Sequence, residues 1–224
     1  MRVAALYDVH GNLPALEAVL ADVERDGVDA VVCGGDVCAG PMPRECLDAL
    51  ADAIFVRGNA DRELGAWPAA RLDAAQRAFL ADLPVSVTLD VDGLGPTVFC
   101  HATPRSDEEI VTGLTPDHAF TAVLAEVEEP VVVAGHVHVR VDRVVGRHRY
   151  VNPGSVGMPY QGRRGAFWAV LGPRVDFRRT EYDVEDAVAR IRGTGYPDAE
   201  QLAEWLLEPV DPEETSRYFE SQRA

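Results

Sequence analysis

The chain has 224 residues, of which 47% are apolar and 26% charged, ordinary proportions for a folded globular domain and incompatible with wholesale disorder or a fibrous repeat. Twenty-one basic residues against 37 acidic ones give a net charge of −16, which repels nucleic acid and anionic lipid at long range. No stretch approaches the roughly 20 apolar residues of a membrane span. The N-terminal MRVAALYDVH lacks the longer apolar region of a secretory signal, so a cytoplasmic location is expected, with neither long nucleic acid nor a membrane as partner. The four cysteines, Cys33, Cys38, Cys46 and Cys100, form no CxxC pair, and three of them lie beside apolar strand or helix residues. They read as buried free thiols rather than a zinc knuckle or a disulfide framework.

Short apolar runs alternate with amphipathic segments through the first two thirds. Residues 2–7 read as a buried strand. Asn12 is placed to cap a helix with Pro14 in its first turn, its apolar face runs through Leu16, Val19 and Val23, and Gly27 ends it. Strands over 29–33 and 54–56 flank a short helix over 44–51, and Asp73 caps another helix that runs to residue 82. Two βαβ passes this early predict parallel strands with helices outside. Residues 85–89 and 97–100 then form a hairpin through Asp92-Gly93. A helix over 117–127 leads to strands over 131–134, 141–145, 148–151, 166–171 and 175–179. Helices follow from Asp183 to residue 192 and over 198–207. From about Glu208 the chain carries two prolines and many charges, and a mobile tail is expected. The whole, residues 1–224, reads as one α/β domain: a four-layer α-β-β-α sandwich of two mixed β-sheets.

The chemistry-bearing residues gather at strand exits. Asp8 and His10 follow the first strand, Gly35-Asp36 the second and Gly58-Asn59 the third. His101 follows the strand ending at Cys100, and Gly135-His136-Val137-His138 follows the strand ending at Ala134. Ligand sites in open α/β sheets collect at the carboxyl ends of parallel strands. Singly, each motif has an ordinary explanation as a turn, a cap or a loop histidine. Together they deliver two aspartates, an asparagine and four histidines to one rim, a donor set suited to Mn, Fe, Ni, Zn or Co rather than to Ca or a thiolate site. His-Val-His in an extended segment aims both rings at one face by period-two alternation. His118 and His148 lie outside the pattern and read as surface residues.

In this order, Asp8-x-His10, Gly35-Asp36, Gly58-Asn59, His101 and Gly135-His136-x-His138 resemble the calcineurin-like metallophosphoesterases. The resemblance is nearest to the small bacterial and archaeal phosphodiesterase branch, which also carries a segment like Asn152-Pro153-Gly154-Ser155-Val156-Gly157. It extends from Arg2 to about Asp183 and implies the same four-layer fold. It implies two divalent metal ions, Mn²⁺ foremost. Asp8, His10 and His138 would hold the first, Asn59, His101 and His136 the second, and Asp36 would bridge both as a catalytic residue together with Asn59. A hydroxide shared between the ions would attack phosphorus, and the two ions outweigh the carboxylates, so an acidic protein could still take a phosphate ester. The implied function is a phosphodiesterase for small-molecule or nucleotide esters. The alternative is a non-catalytic metal-binding scaffold on the same fold, as in the retromer subunit that resembles this family. A nuclease for long nucleic acid is weighed against by the acidic charge.

One residue departs from the pattern. Most of the family has histidine directly after the asparagine, where it stabilises the transition state or protonates the leaving oxygen; this chain has Ala60. Asp61 is a candidate for orienting a ligand, against the alternative of a solvated loop carboxylate. Asn12 and Arg62 are candidates for contact with phosphate. The segment 152–160 reads as a tight loop near the metals or a structural crossing between strands. Specificity is expected from the loops around Pro41, Trp67 and residues 103–112. A homo-oligomer is left open.

Overall fold

The unbroken apolar run of β1 (Val3–Leu6) is explained by burial on both faces. Ala4 and Leu6 face helices, whereas Val3, Ala5 and the following Tyr7 face a second sheet. The structure is a computed structural model that describes residues 1–223. The remaining strands are β2 (Ala30–Cys33), β3 (Ile54–Phe55), β4 (Ser86–Val91), β5 (Gly95–Cys100), β6 (Val131–Val133), β7 (Val141–Val145), β8 (His148–Asn152), β9 (Ala166–Leu171) and β10 (Val175–Thr180). The helices are α1 (Leu13–Asp26), α2 (Pro43–Ala49), α3 (Asn59–Arg62), α4 (Ala66–Arg71), α5 (Ala74–Ala81), α6 (Asp117–Val123), α7 (Val184–Gly193), α8 (Ala199–Leu207) and α9 (Pro212–Ser221).

One sheet has the order β10-β9-β1-β2-β3 and the other β4-β5-β6-β8-β7. Both are mixed. β1, β2 and β3 run parallel, as do β5, β6 and β8, while the outer pairs are antiparallel. The layer between the sheets is built from Val3, Ala5, Tyr7, Val32, Phe99, Val133, Val151 and Leu171. Leu16, Val19 and Val23 of α1, with Cys46, Leu47 and Leu80, cover the outer face of the first sheet. Phe120 and Val123 of α6 cover that of the second. The expected four-layer sandwich is therefore the fold. No helix among the described residues is long and apolar enough to cross a membrane. All four cysteines are buried and free, because each fills a place in these apolar layers or beside them.

Several local expectations need correcting. His148 is buried, not on the surface, because its Nε2 lies 2.9 Å from the Val127 carbonyl oxygen, a partner the turn before β6 provides. α6 stops at Val123, short of residue 127. α3 and α4 occupy a stretch whose sequence signals no helix. Where a mobile tail was expected, α9 forms. Asp211 caps it by accepting from Glu213 N at 2.9 Å and Glu214 N at 2.8 Å, and Pro212 opens its first turn. Glu220 accepts hydrogen bonds from Thr112 Oγ1 at 2.7 Å and from Thr115 Oγ1, which ties the helix back to the domain.

Asp211→Ala removes the cap, which is worth about 0.5–2 kcal/mol locally. α9 should then be trimmed faster by proteases, at sites beyond Leu207, while thermal unfolding of the rest stays close to wild type. Equal trimming rates in the two proteins would show that the cap does not hold the helix.

Candidate metal centre

The six parallel strands open onto one rim, and the backbone there is unusual. Among the described residues, the non-glycine positions with left-handed φ are Asp8 (55°), His10 (46°), Asp36 (54°), His136 (70°) and His138 (56°). L-residues avoid this region, at about 1–2 kcal/mol each. The turns are held by main-chain lacing. Asp8 N donates to Gly35 O at 3.1 Å and His10 N to Asp36 O at 2.9 Å, which ties the β1 exit to the β2 exit. Gly135 N donates to His101 O at 2.7 Å, which ties the β6 exit to the β5 exit.

His136 and His138 converge for a different reason from the one expected. β6 ends at Val133, so no strand alternation acts on them. Two left-handed residues separated by Val137 turn the rings instead, His136 toward His101 with centroids 5.2 Å apart and His138 toward His10 with centroids 4.8 Å apart. Gly135 is required beside them, because a Cβ there would lie 2.6 Å from Asp8 Oδ2.

The side chains form a continuous cluster. His138 Nε2 lies 3.1 Å from His10 Nε2 and 3.5 Å from Asp8 Oδ1. His101 Nε2 lies 3.1 Å from Asn59 Oδ1, 3.4 Å from Asp36 Oδ2 and 3.9 Å from Asp8 Oδ1. Asp36 Oδ2 is also 3.7 Å from His10 Nε2, which places it between the two groups of imidazoles. Two sets have ligand atoms close enough to share an ion: Asp8, His10 and His138, and Asp8, Asp36 and His101. The first is the trio expected for one metal. In the second, Asp8 joins Asp36, whereas the ring of His136 stands farther out beside His101.

Tethering fixes which nitrogen faces inward. Nδ1 of His10, His101 and His138 lies 3.2, 2.8 and 2.7 Å from the carbonyl oxygens of Ala39, Gly34 and Met158. An Nδ1–H donated to a carbonyl leaves Nε2 as a lone pair directed at the cluster, the arrangement of a metal-binding imidazole. Electrostatics point the same way for His10 and His138. Burial pushes the Asp8 carboxyl up to about 8, with Asp36 adding to the effect. Asp36 is buried as well, but His101 holds it below the usual carboxylate range. Burial lowers His10 and His138, and takes His136 down to about 4. Burial also opposes charge on His101, but Asp36 overrides it and raises the ring to about 10. No arginine or lysine among the described residues reaches either carboxylate, so histidines are the basic side chains that face these two acids. Divalent cations are the groups that let both carboxylates ionise and satisfy the facing lone pairs of His10 and His138. The residues present fit them.

The remaining candidates fall into place differently. Asn12 is fully buried. Its Oδ1 accepts from Ala15 N at 3.2 Å as the cap of α1, and its Nδ2 donates to Gly157 O at 2.8 Å, so it has no free group for phosphate. Arg62 is committed to carboxylates, with Nε 3.0 Å from Asp107 Oδ2 and Nη2 2.6 Å from Glu108 Oε1. Asp61 is no solvated loop residue. It is 1% exposed and its Oδ1 accepts from Val37 N at 3.0 Å and Cys38 N at 3.1 Å, which fixes the turn after Asp36. Ala60 contributes its backbone, whose N–H donates to Asp36 Oδ1 at 2.9 Å.

Some contributors escaped the sequence reading. Segment 152–160 is a brace under the β1 turn: Ser155 Oγ donates to Asp8 O at 2.7 Å and Gly157 N donates to the same oxygen at 3.0 Å. Its Asn-Pro-Gly-Ser signature marks a tight loop but not what the loop supports. Tyr160 stacks on His138, with centroids 5.0 Å apart and planes 19° apart, and Phe219 of α9 stands 6.3 Å from the His136 ring. No spacing in the sequence ties these aromatic residues to the rim.

A family model described as the calcineurin-like phosphoesterase superfamily domain matches residues 1–171. A metallophosphoesterase from Sphaerobacter thermophilus is 30% identical, with 94% of this chain and 100% of that one covered at a TM-score of 0.77. A hypothetical protein from Pyrococcus horikoshii is 23% identical, with 94% and 99% covered at a TM-score of 0.80, a likeness of fold. An uncharacterized protein from Methanocaldococcus jannaschii is 26% identical over 243 residues, 92% of this chain and 96% of that protein.

Asp61→Ala leaves two buried N–H groups unpaired, each worth about 1–3 kcal/mol. The variant should unfold at clearly lower denaturant than wild type and bind metal more weakly, whereas Asp61→Asn, which keeps an acceptor oxygen, should retain most of the stability. Denaturant titration of both variants checks this. Equal losses would assign the effect to the charge rather than to the hydrogen bonds.

Proposed function

The chain belongs to the calcineurin-like phosphoesterase superfamily, and from that premise we propose a phosphodiesterase for small-molecule or nucleotide esters that works with two divalent ions, Mn²⁺ foremost. The observation that carries this reading is the coincidence of strain with chemistry: all five left-handed non-glycine residues among the described residues are candidate ligands. Strain of this kind is retained where surrounding structure enforces it for a purpose. A scaffold that offers only its outer surface has no use for inward-facing lone pairs at several kcal/mol of backbone cost.

In this reading Asp8, His10 and His138 hold one ion, Asn59, His101 and His136 the other, and Asp36 serves both. When bound, the ions supply positive charge at the phosphoryl oxygens and make a bound water acidic enough to ionise near neutral pH. The chain does the rest. The Nδ1 tethers to Ala39, Gly34 and Met158 stop the rings from turning away. The Ala60 N–H occupies Asp36 Oδ1 and leaves Oδ2 facing the imidazoles. The Ala60 methyl group has no proton to give, so esters whose leaving oxygen needs none are favoured. A small phosphate ester reaches such a site against a −16 chain far more easily than a long polyanion does.

Asp36→Asn removes the charge that both groups of imidazoles face. It should abolish hydrolysis of bis(p-nitrophenyl) phosphate and lower bound metal from two ions toward one or none, as read by elemental analysis. Wild-type turnover with two ions retained would sink the assignment.

The alanine gives a second expectation. The wild type should cleave aryl diesters well and alkyl diesters poorly, because a positioned acid is worth roughly 10²–10⁴-fold for an alkoxide and little for a nitrophenolate. Ala60→His should narrow that gap by helping the alkyl esters most. The leaving-group dependence of kcat/KM in both proteins is the measurement, and a flat dependence in the wild type would mean that another residue already delivers the proton.

A further inference from the structure

A cleft of about 440 Å³ opens directly off the candidate metal centre, with His10 as one wall. Its other walls include Met158, which lies in the brace under Asp8, and Tyr196, Asp198, Gln201 and Trp205 from α8 and the turn before it. The aromatic faces are held in place. Trp205 meets Tyr160 edge-on at 6.1 Å, and Tyr160 in turn stacks on His138. Tyr196 meets Trp67 of α4 edge-on at 5.7 Å, and Trp67 Nε1 donates to Pro41 O at 3.3 Å. The loops around Pro41 and Trp67 thus act on the site indirectly, by backing this wall. α8 also lies beyond residues 1–171, the part that the family model matches.

The chemistry of the lining is selective. Apart from His10 and the Tyr196 phenol, the ionisable group on these walls is the Asp198 carboxyl, and no arginine is among them. A second phosphate or a carboxylate on the substrate would meet a like charge, whereas hydroxyl and amino groups find acceptors on Asp198 and Gln201. The aromatic faces suit a flat ring. The larger cleft near residues 105–110 lacks this character, because its Arg105 and Arg223 are already paired with Glu109 and Glu220.

We propose that this cleft seats the part of the ester that remains on phosphorus, and that it selects an uncharged, ring-bearing group with hydrogen-bond donors, the class to which nucleosides belong. The proposal rests on the phosphodiesterase reading above and names the substrate class for the same site.

The test uses the full chain loaded with Mn²⁺ and two esters with the same leaving group, thymidine 5′-(p-nitrophenyl phosphate) and methyl p-nitrophenyl phosphate. A preference of roughly tenfold or more for the thymidine ester is expected, of the size that one aromatic–base stack supplies, and carried mainly by KM. Gln201→Trp, at an exposed position on the cleft wall, fills the cleft without touching the core and should collapse the ratio toward one. A binding measurement stands beside the kinetics: non-hydrolysable thymidine 5′-methylphosphonate should quench tryptophan fluorescence in the wild type and much less in Trp205→Phe. Cleavage of both esters at equal rates would overturn the proposal and leave the phosphodiesterase reading intact. Cleavage of neither ester would remove that reading, and the titration alone would then decide the cleft, absence of quenching overturning the assignment.

Discussion

Two carboxylates buried beside each other, with imidazoles as the only basic side chains near them among the described residues, set the terms for the rest of this structure. Asp8 and Asp36 are 0% and 4% exposed, and both approach His101 Nε2. Burying a carboxylate without a counter-charge is expensive, and burying two is worse. The chain meets this cost with precision rather than with arginines. Main-chain hydrogen bonds lace the exits of β1 and β2 together, and the exits of β5 and β6, so that each side chain is aimed before anything binds. The left-handed residues follow from the same need. A strand that simply ran on would carry its next side chains alternately up and down, whereas a sharp reversal at each exit turns one donor inward.

The sandwich provides the rigidity that this demands. The β1 turn is gripped from three directions: by Gly35, by the segment containing Ser155 and Gly157, and by Asn12 across that segment. Asn12 illustrates how a residue beside a ligand can be structural. Its oxygen starts α1 and its nitrogen locks Gly157, so the helix start, the brace and the Asp8 turn share one side chain. Asp61 plays the corresponding part for Asp36, by holding the amides of Val37 and Cys38.

Much of this was legible in the sequence because the strands are patterned strongly. Apolar runs such as VVC, VVV and AFWAVL locate the sheets, and polar residues at their ends locate the rim. What was illegible depended on direction rather than position. Nothing in His-Val-His distinguishes strand alternation from two left-handed residues around a valine. Proximity in sequence made Asn12 and Arg62 look available for phosphate, but their side chains point to Gly157 and to Asp107. Asp61 sits among polar neighbours and is buried only because the α3 turn folds it beneath the Asp36 loop. At α9 the signal was present, with Asp211 before Pro212 and two glutamates after it, yet the surrounding charge reads more readily as a tail.

The distribution of charge bears on how so acidic a chain could take the anionic esters proposed for it. Histidine and asparagine supply five of the seven candidate ligands, side chains that bind a metal as neutral groups, so the site itself contributes only the two carboxylates of Asp8 and Asp36 to the negative total. Two divalent ions would more than offset them and leave the centre locally positive. Arginines that could extend this positive region are instead spent on nearby acids, as Arg62 is on Asp107 and Glu108. The attraction is therefore confined to the metal positions and falls away within about a Debye length of 8 Å at physiological salt. A single phosphodiester, as proposed, would enter such a field, but a polyanion would have to lay its further phosphates across an acidic surface. In the proposed reading, electrostatics would limit substrate size, and the cleft beside His10 would select what the one accepted phosphate carries.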